Sequence, residues 1–380
     1  MGQFDLSEEQ CAIREMARRF TADAITPHAA EWDEHHIFPR ETLRAAAALG
    51  LGAIYVSEEA GGAGLGRIEA ALAMEAMAYG CPSTSAFLSI HNMAGWIIDR
   101  FGTADLNAKY LPSMVTGERL ASYCLTEPGS GSDAAALTTR AVREGGDYVL
   151  TGAKAFISGG GENDIYLVMA RTGGEGPRGI SCLVVEKGMA GLSFGAPERK
   201  LGWHSQPTTT VSLDGVRVPA GNLVGAEGEG FRIAMAGLDG GRLNIGACSL
   251  GGAQRCLDEA CRYTQERRQF GRAIADFQAT RFTLADMETE LQAARMLLYA
   301  AAEKVGAGAD DRTRFAAMAK RLATDTGFSV ADRALQLHGG YGYLRDYPVE
   351  RFLRDLRVHR ILEGTNEIMR VIIARELLGR

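Results

Sequence analysis

The sequence predicts an α+β protein in three parts: an N-terminal all-α domain over residues 1–120, a middle β-barrel or sandwich domain over 121–230, and a C-terminal α-helical bundle domain over 231–380. Three observations predict it. Apolar residues recur at helical spacing from Leu6 to about Leu120. From Ala121 to about Gly230 the pattern changes to short β-rich runs punctuated by Gly and Pro. After Phe231 helical spacing returns in longer, less interrupted segments.

In the first part, Ser7 and Gln10 have the spacing of a capping box before Ile13, Met16, Ala17 and Phe20. Pro27 ends or kinks that helix. A second helix is expected from Pro39 to Gly50, a loop at Gly61-Gly62-Ala63-Gly64, and further helices from near Glu69 and near Ser89. In the middle part, strands are expected at Asp147–Leu150 after a Gly-Gly turn, at Asp164–Met169, at Ile180–Val185 and at Thr209–Leu213, the last followed by a turn at Asp214-Gly215. In the third part, Phe277–Gly306 and Arg312–Leu337 read as long helices, the latter stopped by Gly339-Gly340. A final helix covers about Glu367–Leu378. Long helices with short links suggest an antiparallel bundle.

Composition narrows the function classes. The chain has 380 residues, enough for two or three packed domains, with 46% hydrophobic and 23% charged residues. A net charge of −6 and the lack of a Lys/Arg stripe give no footprint for nucleic acid. The seven cysteines are scattered without a Cys-x-x-Cys and read as reduced, mostly buried thiols; the seven histidines show no metal-ligand spacing. His35 and His36 cannot share a helix face and read as surface. The Met1–Asp5 start has neither a basic-then-apolar signal pattern nor an Arg-rich transit pattern, so a cytoplasmic location is expected, and no apolar run is long enough for a membrane span.

Five stretches could carry chemistry. Tyr123–Asp133 (YCLTEPGSGSD) has glycines that let backbone approach a ligand, and hydroxyls and N–H groups that could hold a flavin edge or a phosphate. Taken alone it is a common surface loop, and it is not a dinucleotide-binding G-x-G-x-x-G. Lys154–Ser158 pairs an aromatic with a hydroxyl, which could cover and hydrogen-bond an aromatic cofactor, although a strand Phe is more often core. Arg267 and Arg268, at a helix end, could clamp a pyrophosphate, or be a solvated charge cluster. Gln336–Gly342 is a helix stop that brings backbone near a ligand, or a plain glycine C-cap. In Ile361–Glu367 a carboxylate, Glu363, sits between apolar residues and a glycine. A buried Glu has a raised pKa and can act as a base near neutral pH; a capping acid is the ordinary alternative.

The segments YCLTEPGSGSD, ERRQFG, QLHGGYG and ILEGTNEIMR occur in an order and spacing that resemble the acyl-CoA dehydrogenase family from the first helix to Arg375. That resemblance implies a helical domain, a β domain and a C-terminal four-helix bundle. It implies FAD, held between domains and reaching a neighbouring subunit of a homotetramer, an acyl-CoA substrate, and an electron-transfer flavoprotein as acceptor. Carried over by motif, Tyr123, Leu125, Thr126, Gly131 and Ser132 line the flavin, and Phe156, Ile157 and Ser158 pack on and bond its ring. Arg267, Phe277 and Gln278 reach the FAD of a neighbouring subunit, as do Gln336, Leu337, His338, Gly339 and Gly340. Thr365, Asn366 and Glu367 complete the cofactor site. Ser132, Asp239, Gly240, Gly241, Arg242 and Arg375 are implied substrate contacts.

Glu363 matches the family's usual catalytic base, which removes the α-proton while the β-hydride goes to flavin N5. Some relatives instead carry the base just before the arginine that matches Arg242; here that position is Gly241, which cannot be a base. Phe156 and Ser158 stand where many relatives have Trp and Thr. Those positions, Ser89–Met93, Gly202–Thr208 and Gly240–Ile245 are similar to members of the isobutyryl-CoA type. This implies dehydrogenation of isobutyryl-CoA to methacrylyl-CoA, as in valine catabolism, with short straight-chain or 2-methylbutyryl thioesters as alternatives. A related flavoprotein oxidase and a non-catalytic helical binding protein are the competing functional classes.

Overall fold

The computed structural model describes residues 6–379; the Met1–Asp5 stretch behind the N-terminal reading lies outside the described residues. Helix α1 (Glu8–Phe20) begins with the expected capping box, Ser7 Oγ accepting from Gln10 N and the Gln10 side chain accepting from Ser7 N, both at 3.1 Å. It runs into a π-turn at Thr21–Ile25 and ends before Pro27. The short α2 (Ala29–His35) has only two turns, too few for its period to stand out in sequence. Then come α3 (Arg40–Ala48), α4 (Arg67–Ala78), α5 (Pro82–Phe101) and α6 (Ala104–Val115), the last with Pro112 inside it.

The middle part is built from β1 (Ala121–Cys124), β2 (Arg140–Glu144), β3 (Asp147–Ser158), β4 (Ile165–Arg171), β5 (Ile180–Glu186), β6 (Leu192–Phe194), β7 (Thr208–Pro219) and β8 (Leu223–Val224). Their order is β6-β7-β3-β2-β4-β5-β8, with β1 parallel to β4. Only the pair Arg140–Arg171 joins β2 to β4, so the sheet folds into two leaves. Cys124, Tyr166, Val168 and Val185 from one leaf pack against Tyr148, Leu150, Ile157, Val211 and Val218 from the other. The expected turn at Asp214-Gly215 is instead a bulge: β7 continues to Pro219, and Gly215 (φ 66°) is the extra residue between the pairs Thr151–Asp214 and Leu150–Val216.

Helix α7 (Gly230–Glu266) is a single 37-residue helix, followed by a two-stranded ribbon, β9 (Arg268–Gln269) and β10 (Arg272–Ala273). With α8 (Gln278–Gly306), α9 (Arg312–His338) and α11 (Asn366–Leu377) it forms the C-terminal bundle, and the short α10 (Val349–Arg357) closes it. The N-terminal helices share a core with the bundle: Ala70, Ala73, Met74 and Met77 of α4 pack with Leu243, Leu250, Met287, Leu291 and Leu298. Helix α4 crosses α7 at backbone distance, because a Cβ on Gly251 would stand 2.9 Å from the Glu75 carbonyl carbon.

Buried polar groups fix the N-terminal domain internally and the domains against one another. Asn92 accepts from Ile54 N at 2.7 Å and donates to Leu51 O and Leu88 O, pinning the loop after α3. His91 donates from Nε2 to Met114 O (2.9 Å) and accepts Ala121 N–H on Nδ1 (3.1 Å). Burial lowers its pKa to about 4, so it stays neutral in this role. Trp203 N donates to Asp355 at 2.6 Å, Ser205 Oγ to Ser83 at 2.7 Å, and Gln206 to Ser83 O at 3.0 Å. The segments 89–93 and 202–208 therefore act as interlocks between domains. All seven cysteines are free and five are buried. His35 and His36 are exposed, and no described helix is long and apolar enough to cross a membrane.

Candidate active site

The turn between α10 and α11 carries Glu363, and three elements converge on it. Glu363 (φ 54°) and Gly364 (φ 88°) are both left-handed, a conformation that costs a non-glycine residue about 1–2 kcal/mol unless the surroundings impose it. They do. Lys320 of α9, with no exposed surface, donates to Gly364 O at 2.8 Å and to Asn366 Oδ1 at 2.9 Å. Arg242 of α7 donates to Glu363 O at 3.4 Å and is itself held by Asp239 at 2.7 Å, which in turn accepts from Thr313. Thr365 caps α11 by accepting from Ile368 N.

The turn lays the Glu363 carboxylate across Gly241 of α7. A Cβ at Gly241 would stand 3.0 Å from Glu363 Cδ and 3.1 Å from Oε1, closer than real Cβ atoms tolerate without movement. The two sequence positions that could carry a base thus converge on one place, and a side chain at one excludes the carboxylate of the other. Glu363 as a residue is partly exposed, yet its Oε2 is buried with no hydrogen-bond partner. Burial drives its pKa up, the Lys320 and Arg242 charges pull it back, and the balance stands at about 7. The Glu363 backbone N–H has no acceptor among the described residues. An unpaired carboxylate oxygen near neutral pKa beside a free N–H donor can take a proton and stabilise a developing oxyanion.

A second surface is built by Glu127 and Lys154, whose side chains are 4% and 0% exposed and 2.8 Å apart. Glu127 also accepts from Thr138 N and Thr139 N, and Lys154 donates to Leu125 O. Burial opposes ionisation of Glu127, but Lys154 and these donors outweigh it and hold the pKa down to about 2. Ala155 N donates to Thr126 O at 2.9 Å. The pair thereby aligns the 123–133 loop beside the 154–158 strand. A bulge there, with Ala155 and Phe156 opposite Thr210 alone, puts Phe156 in the left-handed region (φ 57°) and leaves its ring 67% exposed. A strained backbone presenting a bare aromatic face suits a flat ring stacked on it. Gly129 and Gly131 face open space, and Ser132 is exposed. Tyr123 donates to Ala234 O and lies within the electrostatic reach of Glu363, which connects the two surfaces. These observations fit an isoalloxazine and its attached chain.

Other expected residues are placed differently. Ile157 and Leu125 point into hydrophobic cores, so only their backbone can face a cofactor. Asn366 is buried, its side chain donating to Thr324 and Asp325 and accepting from Lys320, so that side chain shapes the turn and has no free donor for a ligand. Asp239 and Arg242 are buried and bound to each other beneath Glu363. Ser132 and Glu367 are exposed, Gly240 abuts Arg67, and Arg375 is exposed in the last turn of α11, roughly 15 Å beyond Thr365 at the helical rise.

A third group lies elsewhere. Arg267 stands over the Tyr341 ring at 5.3 Å, and buried His338 stacks on Tyr263 at 4.4 Å. Arg267, Tyr263 and Tyr341 border a cavity of about 320 Å³, lined also by Arg262, Glu266 and Tyr347. Gln336, Gly339, Gly340 and Gln278 are exposed, Leu337 packs partly on the core, and Phe277 meets the 92%-exposed Phe270 edge-on. Along α7, Gly241 and Arg267 are separated by roughly 39 Å, and along α9 Lys320 and His338 by roughly 27 Å. The structure therefore brings Arg267 together with Gln336–Gly340, and places both far from Glu363 of the same chain.

Lys320 was missed in sequence. Its signal was a lone cation on the buried small-residue stripe Ala316-Ala319-Ala323 of a helix. Arg67, buried between the Tyr55 and Trp96 rings, was missed as well. No group of His, Cys, Asp and Glu among the described residues could hold a metal.

Comparison with known proteins agrees with this layout. Three family models match in order: acyl-CoA dehydrogenase N-terminal domain at residues 7–118, middle domain at 122–216 and C-terminal domain at 228–378. The chain is 54% identical over 373 residues to "Isobutyryl-CoA dehydrogenase, mitochondrial" of Dictyostelium discoideum and 53% to the Bos taurus protein of the same name, covering 98% of this chain and 90% of each relative. The solved structure of butyryl-CoA dehydrogenase from Megasphaera elsdenii superposes with a TM-score of 0.96 at 37% identity, covering 99% of this chain and 100% of that one. With all three domains matched in order over nearly the whole length, the chain belongs to the acyl-CoA dehydrogenase family.

Proposed function

We propose that this enzyme dehydrogenates a short branched acyl-CoA, isobutyryl-CoA before others, to the α,β-unsaturated thioester, with Glu363 as the base. One observation carries the proposal: the Glu363 carboxylate, enclosed over Gly241 with Oε2 unpartnered and a pKa of about 7. A thioester α-proton is weakly acidic, so the carbonyl must be polarised as charge moves onto oxygen. The free N–H of Glu363 is the donor for that oxygen, on the same turn as the carboxylate that takes the α-proton. Burial of Oε2 keeps this carboxylate basic enough to accept the proton at neutral pH. FAD, when bound, supplies the acceptor for the β-hydride. Phe156 and the 123–133 loop hold its ring, with the Glu127–Lys154 pair keeping those segments in register. The Arg267 and Gln336–Gly340 group serves the cofactor of a neighbouring copy in a homotetramer, and an electron-transfer flavoprotein reoxidises the enzyme. The isobutyryl assignment is supported by the 54% identity to the Dictyostelium relative.

The test is an anaerobic titration of the yellow protein with isobutyryl-CoA, butyryl-CoA and 2-methylbutyryl-CoA, following flavin absorbance. Isobutyryl-CoA is expected to bleach it fastest; no bleaching by any of the three sinks the substrate assignment. Glu363→Gln is expected to stay yellow and lose turnover, and a yellow variant with normal turnover removes Glu363 as the base.

A further inference from the structure

We infer that Lys320 is a positioning residue for this reaction: its ammonium fastens the turn that presents Glu363 and supplies the nearest cation from α9 to that carboxylate. The inference rests on the base assignment above. Lys320 has no exposed surface, and its hydrogen bonds are to Gly364 O (2.8 Å) and Asn366 Oδ1 (2.9 Å), the residues one and three positions after Glu363. Neither acceptor is an anion, so the ammonium is neutralised only at longer range. A buried ammonium is normally paired with a carboxylate in contact. Here the carboxylate it attracts most strongly is Glu363. Lys320 thus holds two left-handed residues in place through the backbone and leaves the Glu363 carboxylate free of a direct bond.

Removing the ammonium should do two separable things. The Gly364 carbonyl would lose its donor, the left-handed turn would relax, and the carboxylate would leave its seat over Gly241. A misplacement of about 1 Å at a reacting group can lower the rate about 100-fold. The carboxylate would also lose a cation, so its proton affinity would rise. The other charged or titratable groups facing Glu363 are Arg242 and Cys248 from α7, Tyr55 from the loop after α3, and Tyr123 from β1. Those facing Lys320 besides Glu363 are Arg242, Asp325 and Glu367, with His359 behind it. Arg242 remains in every variant below, and it alone cannot replace the cation on the α9 side.

The experiment uses the FAD-loaded enzyme and isobutyryl-CoA. Lys320→Met is expected to keep its flavin spectrum and assembly state, to lower kcat about tenfold or more with KM changed less than twofold, and to move the acid limb of the kcat–pH profile up by about one pH unit. The direction follows because a base must be deprotonated to work, and losing a cation raises the pH at which that happens. Lys320→Arg keeps the charge and is expected to keep the acid limb within about 0.3 unit while lowering kcat. Wild-type kcat and an unmoved limb in Lys320→Met overturn the inference. If Lys320→Met does not fold, the arginine variant decides alone: a limb that stays put with reduced kcat supports the inference, and a limb displaced upward or an unchanged kcat overturns it. Failure of the base assignment looks different, since Glu363→Gln would then turn over normally whatever Lys320 does.

Discussion

Gly241→Ala separates stability from activity. In the interior of a 37-residue helix, alanine is favoured over glycine by about 0.8–1 kcal/mol. For a chain this long, at about 2.1 cal/mol/K per residue, that corresponds to a rise in Tm of roughly 1 °C. The three atoms nearest the new methyl group all belong to a side chain rather than to backbone. Its closest neighbours are the carboxylate atoms of Glu363, with Cδ at 3.0 Å, against an ordinary contact of 3.4 Å or more. The end of a flexible side chain can move aside, so the fold survives, and the carboxylate must retreat by about 0.5–1 Å. A displacement of that size at a proton-transfer centre is expected to lower the rate of flavin bleaching by about 100-fold. Stopped-flow absorbance with isobutyryl-CoA measures the rate, and scanning calorimetry of the same preparation measures Tm. The expected result is an unchanged or slightly raised Tm with bleaching slowed by one to two orders of magnitude. A variant that bleaches at the wild-type rate would refute the geometry, because the carboxylate would then not occupy the space above Gly241. A large drop in Tm with unaltered single-turnover chemistry would refute the claim that only a flexible side chain fills that space.

Other outcomes follow from the same contacts. Because the Glu363 pKa is raised to about 7 in the substrate-free protein, kcat/KM should climb as pH rises through about 7, and the kcat/KM–pH profile reads this directly. A folded-state pKa above the unfolded 4.5 means the ionised carboxylate opposes folding above pH 7 and ceases to do so as pH falls to 4.5. Glu363→Gln should therefore melt higher than wild type at pH 8 and equal to it near pH 4.5; equal melting at pH 8 contradicts the burial. Lys154→Met leaves Glu127 buried without its cation, which should destabilise the protein by about 3–5 kcal/mol in urea unfolding and release flavin, with a loss under 1 kcal/mol counting against the pair. The Glu127 contribution is fully present above pH 4.5 and disappears as pH falls towards about 2, so the mutational loss should shrink in acid. Phe156→Gly relieves the left-handed strain, so the apoprotein should be no less stable, while FAD should dissociate about tenfold more readily in equilibrium dialysis.

The three-part order was legible because each part writes a different period into the sequence, and the long helices α8 and α9 fall within a residue or two of their expected ends. What could not be read has identifiable causes. The seven-residue α2 and nine-residue α10 give too few turns for a period. Pro112 masks α6, where its ring is accommodated within the helix. Asp214-Gly215 has turn chemistry, and only the partner strand β3 decides that it forms a bulge. Glu363 was legible by its apolar setting, whereas the residues that seat it, Lys320, Arg242 and Asp239, are 43, 121 and 124 positions away and are assembled only by the packing of α7 and α9. Ser89–Met93 and Gly202–Thr208 stood out as motifs, and the structure gives them interdomain hydrogen bonds, Ala121 N to His91 and Trp203 N to Asp355.

The separation of the two groups of expected cofactor residues has a consequence for assembly. Glu363 lies over Gly241 and Tyr123 bonds Ala234 O, both in the N-terminal third of α7, and Arg267, near Gln336–Gly340, follows its last residue, roughly 39 Å from Gly241 along that helix. A shift in the short links cannot close the gap, because α7 and α9 are each unbroken and their buried faces are locked to one another over many turns. If both groups serve FAD, they serve different molecules of it, and every site must be completed by a second copy of the chain. The exposed Phe270 and Tyr343, beside Arg267 and Gly340, are apolar surface that such a copy would cover. Cofactor retention and assembly should then be coupled: Arg267→Ala, remote from Glu363 in its own subunit, should weaken FAD binding and the oligomer together. An Arg267→Ala protein that keeps wild-type FAD affinity and assembly would remove Arg267 from the cofactor site of a neighbouring copy, and with it the coupling argued from the α7 distance.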